Sequence, residues 1–301
     1  MQSPPQERGS TLKGVVTITL MVANVVFWVP ILLVVALAKL VVPLRGWRRV
    51  VSRWLTALAE AWISCNGAIF RLMGVLRLKV EGLAGLAPRE WYLVVSNHRS
   101  WVDILVLQEM FNHRIPFLKF FLKRELIWVP FLGLAWWALD FPFMKRHSSA
   151  YLAKHPEARG QDLAATREAC AKFAQIPTSV MNFLEGTRFT PQKHAAMKSP
   201  YRHLLLPRAG GVAFVLSTMG QMLHSMLDVT IAYRESSPTL WDLCCGRLET
   251  VRVHVLKRPI ERWTTEGDYN DDPAFRARFQ QWLGEVWADK DRRLEAMSVA
   301  T

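Results

Sequence analysis

The sequence predicts an α/β domain with a mainly parallel sheet flanked by helices, preceded by an apolar N-terminal membrane helix or helical hairpin. Three observations support this. Short β-branched and apolar runs alternate with longer helical stretches, the pattern of a sheet whose strands are joined by crossover helices. An uncharged stretch from Val15 to Ala38 has about the length needed to cross a bilayer core. Residues able to do chemistry, His98 and Glu185, fall where strand-like runs end, and ligands of such sheets bind at strand ends.

Taken in order, residues 1–13 are polar and proline-containing and read as disordered, and residues 14–77 form a membrane-anchoring helical segment. The stretch Val15–Ala38 is too long for a signal-peptide core, and no small-residue cleavage pattern follows it. Pro30 and Asn24 leave two geometries open, a single span or a kinked, re-entrant hairpin. Lys39, Arg45, Arg48, Arg49 and Arg53 follow the stretch, against Arg8 and Lys13 before it. This asymmetry predicts that the remainder stays on the cytoplasmic side of the inner membrane. Residues 51–77 show a second helical stripe of Trp54, Leu55, Leu58, Trp62 and Ile63, placed either in the interface or on the domain.

Five runs then read as strands: Tyr92–Ser96, Leu139–Met144, Thr178–Phe183, Leu227–Tyr233 and Val251–Leu256. Between them, Arg159–Ala174 is a helix candidate, and Thr190–Gly211 is a basic, loop-rich stretch whose lysines and arginines suit either lipid phosphate or solvent. Trp128 to Trp137 is the densest aromatic cluster of a chain with 13 tryptophans, and its lack of charge leans towards lipid contact over core packing. Near the C-terminus, Phe275, Phe279, Trp282, Leu283, Val286 and Trp287 recur at helical spacing and predict a core-facing helix.

The most informative local pattern is His98 with Asp103 five residues on, directly after the run Tyr92–Ser96. A neutral imidazole oriented by a carboxylate can take a proton from an alcohol near neutral pH. Ser100-x-x-Asp103 reads as a helix-opening pair with Ser100 as N-cap, which leaves His98 in the loop before the helix, free to fold back on Asp103. Helix capping alone would also account for Asp103. A second pattern, Glu185-Gly186-Thr187-Arg188, follows the run Thr178–Phe183. Its glycine permits close backbone approach, and its arginine offers a planar fork suited to phosphate. On its own it would equally serve as a turn with a surface ion pair.

Together these patterns resemble the glycerolipid acyltransferase superfamily, specifically 1-acylglycerol-3-phosphate O-acyltransferases and their lysophospholipid-acylating relatives. The resemblance rests on Asn97 to Asp103, then Phe143-Met144-Lys145-Arg146, then Glu185 to Arg188, in the family's order, with a fourth block at Leu227–Tyr233; it covers roughly residues 78–235. Leu184 stands where proline is usual, Phe189 where serine often follows, and Asp140 and Lys145 where glycine and aspartate are frequent. The resemblance implies an acyltransferase domain over residues 78–301, with His98 and Asp103 catalytic. It implies substrate contacts from Arg146, Glu185, Gly186, Thr187 and Arg188. The substrates implied are a lysophospholipid, most directly 1-acyl-glycerol-3-phosphate, and an acyl thioester supplied as acyl-CoA or acyl-carrier protein. No metal and no organic cofactor is implied.

Composition fits this picture. A net charge of +13 and a hydrophobic content of 51% over 301 residues, with a pI near 10.0, point to an anionic partner. Anionic membrane lipids account for the charge more simply than nucleic acid, because no zinc spacing, helix-turn-helix or RNA-recognition signature accompanies it. Cys65, Cys170, Cys244 and Cys245 show neither metal spacing nor a disulfide framework, as expected of a reduced cytoplasmic setting. No cysteine or serine has a nucleophile context, which disfavours a covalent acyl-enzyme. Two rival readings are a non-catalytic lipid-binding membrane protein and a membrane-tethered nucleic-acid binder.

Overall fold

The computed structural model describes residues 10–42, 44–144, 173, 176–234 and 237–299. Two long helices come first, α1 (Thr11–Val41) and α2 (Arg45–Met73). Ser10 caps α1 by accepting the Leu12 N–H at 3.1 Å, and Pro30 lies inside the helix without ending it. Gly74 closes α2 in the left-handed region, with φ 58°. The second helix therefore starts and stops earlier than the expected 51–77. Val29, Leu32 and Ala36 of α1 and Val51, Leu55, Ala59 and Ile63 of α2 are buried in one core, so the two helices form a packed hairpin. Of the tryptophan stripe expected on α2, Trp54 points outward instead, 56% exposed. Asn24 donates across the hairpin to Asn66 Oδ1 at 2.9 Å, Trp47 Nε1 donates to Ala38 O at 2.8 Å, and Lys39 pairs with Asp140.

The domain that follows holds a six-stranded sheet. Its strands are β1 (Leu78–Glu81), β2 (Tyr92–Ser96), β3 (Leu118–Phe120), β6 (Ser179–Phe183), β7 (Ser225–Ala232) and β8 (Val251–Arg258), in the spatial order β1-β8-β7-β2-β6-β3. Four of the five neighbouring pairs are parallel, and β7 with β8 is antiparallel. A two-residue parallel ladder joins β4 (Leu122–Lys123) to β5 (Phe143–Met144). The helices are α3 (Val102–Phe111), α4 (Leu132–Ala138), α5 (Pro191–Met197), α6 (Ala209–Met219), α7 (Leu240–Cys244) and α8 (Pro273–Val299).

Each sheet face has its own core. Tyr92 and Val94 of β2 face the core shared with α1, α2 and α3, while Leu93 and Val95 face the core built by α6 and α8. A central strand covered on both sides is apolar at every position, which is why β2 reads as an unbroken hydrophobic run. On β7, Leu227, Val229 and Ile231 take the first side. Asp228 turns to the second, where Lys290 of α8 meets it at 2.5 Å and Arg258 and Arg293 close the cluster. The C-terminal aromatic stripe packs as expected, with Phe279, Leu283, Val286 and Trp287 buried.

Several expectations need correcting. The run Leu139–Met144 is strand only at Phe143–Met144, because Leu139 and Asp140 terminate α4. Asp140 has φ 58°, the left-handed geometry that glycine adopts without strain, and its carboxylate is held by Lys39. The stretch Thr190–Gly211 is not all loop: Thr190 caps α5, and α6 begins at Ala209. Trp101 directly precedes α3, but Ser100 does the capping, as expected: its hydroxyl accepts the Val102 N–H at 3.0 Å, and its own N–H donates to Asp103 Oδ2 at 2.9 Å. The aromatic cluster divides, with Trp128, Phe131, Leu134 and Trp137 exposed and Ala135 buried. Arg146, Lys145, Cys170 and all but Phe173 of the helix candidate Arg159–Ala174 lie outside the described residues.

Candidate active site

β2, β6 and β7 run in the same direction, so their C-terminal ends share one edge of the sheet. The chain leaves β2 into His98, β6 into Glu185 and β7 into Tyr233. A constellation drawn from distant parts of the sequence is thereby assembled at the strand ends, where α/β sheets bind their ligands.

At its centre His98 Nδ1 lies 2.8 Å from Asp103 Oδ2. The same oxygen accepts the backbone N–H of Arg99 at 2.6 Å and of Ser100 at 2.9 Å. The other oxygen, Oδ1, accepts the Tyr233 hydroxyl at 2.6 Å. Asp103 is fully buried, with four donors directed at its carboxylate, as a buried anion requires. An N–H at Nδ1 facing the carboxylate leaves Nε2 as the proton-accepting nitrogen. The His98 ring stacks on Phe183 with centroids 3.9 Å apart, which fixes its plane.

The loop carrying His98 is held from both neighbouring strands. Asn97, buried, exchanges two hydrogen bonds with Ile231 of β7, each 2.9 Å. From the β6 side, His98 N–H donates to Glu185 Oε1 at 2.8 Å, and Phe189 N–H donates to His98 O at 2.8 Å. The second Glu185 oxygen accepts the Leu205 N–H at 3.0 Å. Glu185 therefore spends both oxygens on main chain. Burial pushes its carboxyl up to about 7, against the pull of those two N–H donors and of Arg99.

The other predicted residues surround this core. Gly186 adopts φ 64°, and a Cβ there would come within 2.9 Å of Arg208 Cδ, so the close approach that requires glycine is to a side chain. Lys193 Nζ donates to Thr187 Oγ1 at 2.7 Å and to Arg188 O at 3.0 Å. Arg188 is exposed, with its guanidinium 5.3 Å from the centre of the Trp101 ring. Arg99 is largely buried, donates to His203 O at 3.0 Å and lies over Phe189. Burial holds Arg99 below the usual arginine range in spite of Glu185 and Asp103 nearby. The structure thus brings His98, Asp103, Glu185, Gly186, Thr187 and Arg188 to one edge. Tyr233, Asn97, Phe183 and Arg99 complete the arrangement, and sequence reasoning gave them no role. Among the described residues no group of three or more histidines, cysteines or carboxylates is arranged to hold a metal ion.

A model of the acyltransferase family matches residues 77–233, just over half the chain. The chain belongs to the acyltransferase family. It is 28% identical over 217 residues to the 1-acyl-sn-glycerol-3-phosphate acyltransferase gamma of Mus musculus, covering 67% of this chain and 52% of that protein. It is 29% identical over 259 residues to lysocardiolipin acyltransferase 1 of Danio rerio, covering 81% and 62%. The chain therefore spans between about half and three-fifths of the length of these curated relatives. The crystal structure of the 1-acyl-sn-glycerophosphate acyltransferase of Thermotoga maritima superposes with a TM-score of 0.57 at 17% identity, covering 95% of each chain, and shows the shared fold.

Proposed function

We propose that this protein is an acyltransferase that moves a fatty acyl chain from a thioester to the free hydroxyl of a lysophospholipid. The His98–Asp103 pair, assembled at the ends of three parallel strands, carries this reading. His98 Nε2 accepts the proton of the acceptor hydroxyl as its oxygen attacks the thioester carbonyl carbon. Collapse of the tetrahedral intermediate breaks the C–S bond, and the proton leaves on the thiol. Asp103 holds the tautomer and balances the imidazolium charge, a role its four hydrogen bonds suit. Holding two lipid substrates in register would supply much of the remaining acceleration.

The acceptor we assign is 1-acyl-glycerol-3-phosphate, giving phosphatidic acid, and the donor is acyl-CoA or acyl-carrier protein. The exposed guanidinium of Arg188, steadied over Trp101, suits the acceptor's phosphate, and Arg146 is assigned the same partner. Gly186 and Thr187 shape the turn that presents Arg188. Glu185 contributes by fixing the main chain at His98 and Leu205.

The anchor is residues 14–77, and the acyltransferase domain is residues 78–301. Thr11–Lys39 is long and apolar enough to cross a membrane. Its outward residues Leu12, Val15, Val22, Val26, Phe27, Val34, Leu37 and Val41 form an exposed apolar stripe, and Trp128, Phe131, Leu134 and Trp137 are exposed as well. Its other side is docked on α2, which carries Arg45, Arg48, Arg49, Arg53, Glu60 and Arg71 and is too charged to share hydrocarbon over the same depth. This favours a helix embedded along its stripe, with the domain on the cytoplasmic face of the inner membrane, over a free-standing span.

The test is thioester consumption by the full chain in the presence of a panel of lysophospholipids. Release of free thiol that depends on 1-acyl-glycerol-3-phosphate, with phosphatidic acid formed in equal amount, is expected. Turnover with a different lysophospholipid alone would reassign the acceptor. Lipid binding without turnover of any acceptor would favour the non-catalytic reading.

A further inference from the structure

We infer that Tyr233 is a positioning residue of the catalytic pair, holding the second oxygen of Asp103 and thereby fixing the carboxylate that orients His98. The inference rests on the acyl-transfer reading above. Asp103 Oδ2 is committed to His98 and to two backbone N–H groups, while Oδ1 accepts only the Tyr233 hydroxyl among the described residues, at 2.6 Å. The carboxylate is buried, so no solvent would replace that donor. Without the hydroxyl, one oxygen of a buried anion is left bare.

The placement follows from the strand. Ile231 is bonded at both its main-chain groups to Asn97, which locks the end of β7 to the His98 loop. Tyr233, two residues further along, is delivered onto Asp103 across a sequence separation of 130 residues. β7 therefore grips the loop twice, once through Asn97 and once through the carboxylate that orients the base.

A carboxylate gripped at both oxygens keeps one orientation, and the imidazole bonded to it keeps the ring plane that presents Nε2. The charged groups that act on Asp103 are Arg99 on the same loop and Glu185 from the β6 exit, and Asp291 of α8 acts on Arg99. Next to Tyr233, Arg234 is engaged with Glu249. Tyr233→Phe leaves all of these in place and keeps the ring, so it removes the hydroxyl alone.

The experiment is steady-state acyl transfer by wild type and Tyr233→Phe, alone and in an Asp103→Asn background, with kcat measured and KM measured for both substrates. We expect kcat to fall about tenfold, the scale of a lost hydrogen bond to a charged group, with KM for each substrate held within about twofold. In an Asp103→Asn background, Tyr233→Phe should cost little further activity, because the two residues act as one unit. A folded variant with unchanged kcat overturns the inference, as does a full additional loss in the Asp103→Asn background. A merely structural tyrosine would lower Tm and the active fraction, and its cost would persist in full in the Asp103→Asn background. Wild type assayed alongside separates the two levels. No transfer by wild type overturns the functional reading and this inference with it, while an active wild type with an unmoved variant overturns the inference alone.

Discussion

His98 and Glu185 meet through the main chain: the His98 N–H donates to Glu185 Oε1 at 2.8 Å, while the His98 side chain turns to Asp103. The glutamate of the second conspicuous motif thus holds the backbone from which the His98 imidazole hangs. Its other oxygen ties in Leu205, so three segments converge on one buried carboxyl group.

Replacement of that carboxyl should therefore reach catalysis through position. In Glu185→Gln one of the two N–H groups faces an amide NH2 instead of an oxygen, and kcat should fall about 10- to 100-fold, with a lower Tm. A signature in pH accompanies it. Because burial raises the folded-state carboxyl from 4.5 to about 7, ionisation costs the native state stability progressively as pH rises through that window, and the cost is constant above it. Glutamine does not titrate, so its stability deficit relative to wild type should narrow from pH 4.5 to about 7 in denaturant melts. A constant deficit would show that Glu185 ionises normally.

The parts of the fold legible in the sequence are those governed by local pattern. Tyr92–Ser96 is a strand at the expected limits because burial on both faces makes every position apolar. His98 and Asp103 are close enough in sequence for their contact to be read from a loop followed by a helix turn. What was not legible depends on distance or brevity. β1, β3 and β4 span four residues or fewer and leave no periodic signal. Tyr233 reaches Asp103 across 130 residues, and nothing local announces it. The α1–α2 hairpin was open in the sequence because uncharged residues that line a core and those that face lipid read alike; burial of Val29, Leu32 and Ala36 distinguishes them.

The cluster of Asp228, Lys290, Arg258 and Arg293 fastens α8 to the sheet. Burial alone would raise the Asp228 carboxyl, but Lys290 and Arg293 outweigh it and hold the group well below its usual 3.8. The folded-state value is depressed, so the associated stability is present above about pH 4 and is lost as pH falls below that. Asp228→Asn should destabilise by about 3–5 kcal/mol near neutral pH, because it leaves a fully buried ammonium without its carboxylate. Lys290→Met should cost less, since Arg258 and Arg293 remain. Urea titrations near neutrality and near about pH 3 check both points; an Asp228→Asn deficit that persists undiminished in acid would contradict the assignment.

Membrane attachment should rest on the outward stripe of α1. Full-length protein bound to anionic vesicles should stay bound as salt approaches about 1 M, where charges are screened within about 3 Å. Val22→Lys combined with Phe27→Lys alters two exposed positions, 56% and 61% accessible, and should leave the fold intact. That variant should be released by the same salt in a flotation assay. Salt release of the unaltered protein would mean that charge alone holds it to the surface.

The most direct measurement is the single-turnover rate of acyl transfer from a thioester to 1-acyl-glycerol-3-phosphate by wild type and His98→Ala. The imidazole lies in a loop, with its ring stacked on Phe183 and bonded to Asp103. Its removal should therefore leave the circular dichroism and Tm close to those of wild type. Loss of a general base predicts a rate lower by roughly 10²–10⁴-fold. A folded His98→Ala protein that transfers acyl groups at a rate comparable to wild type would contradict the account.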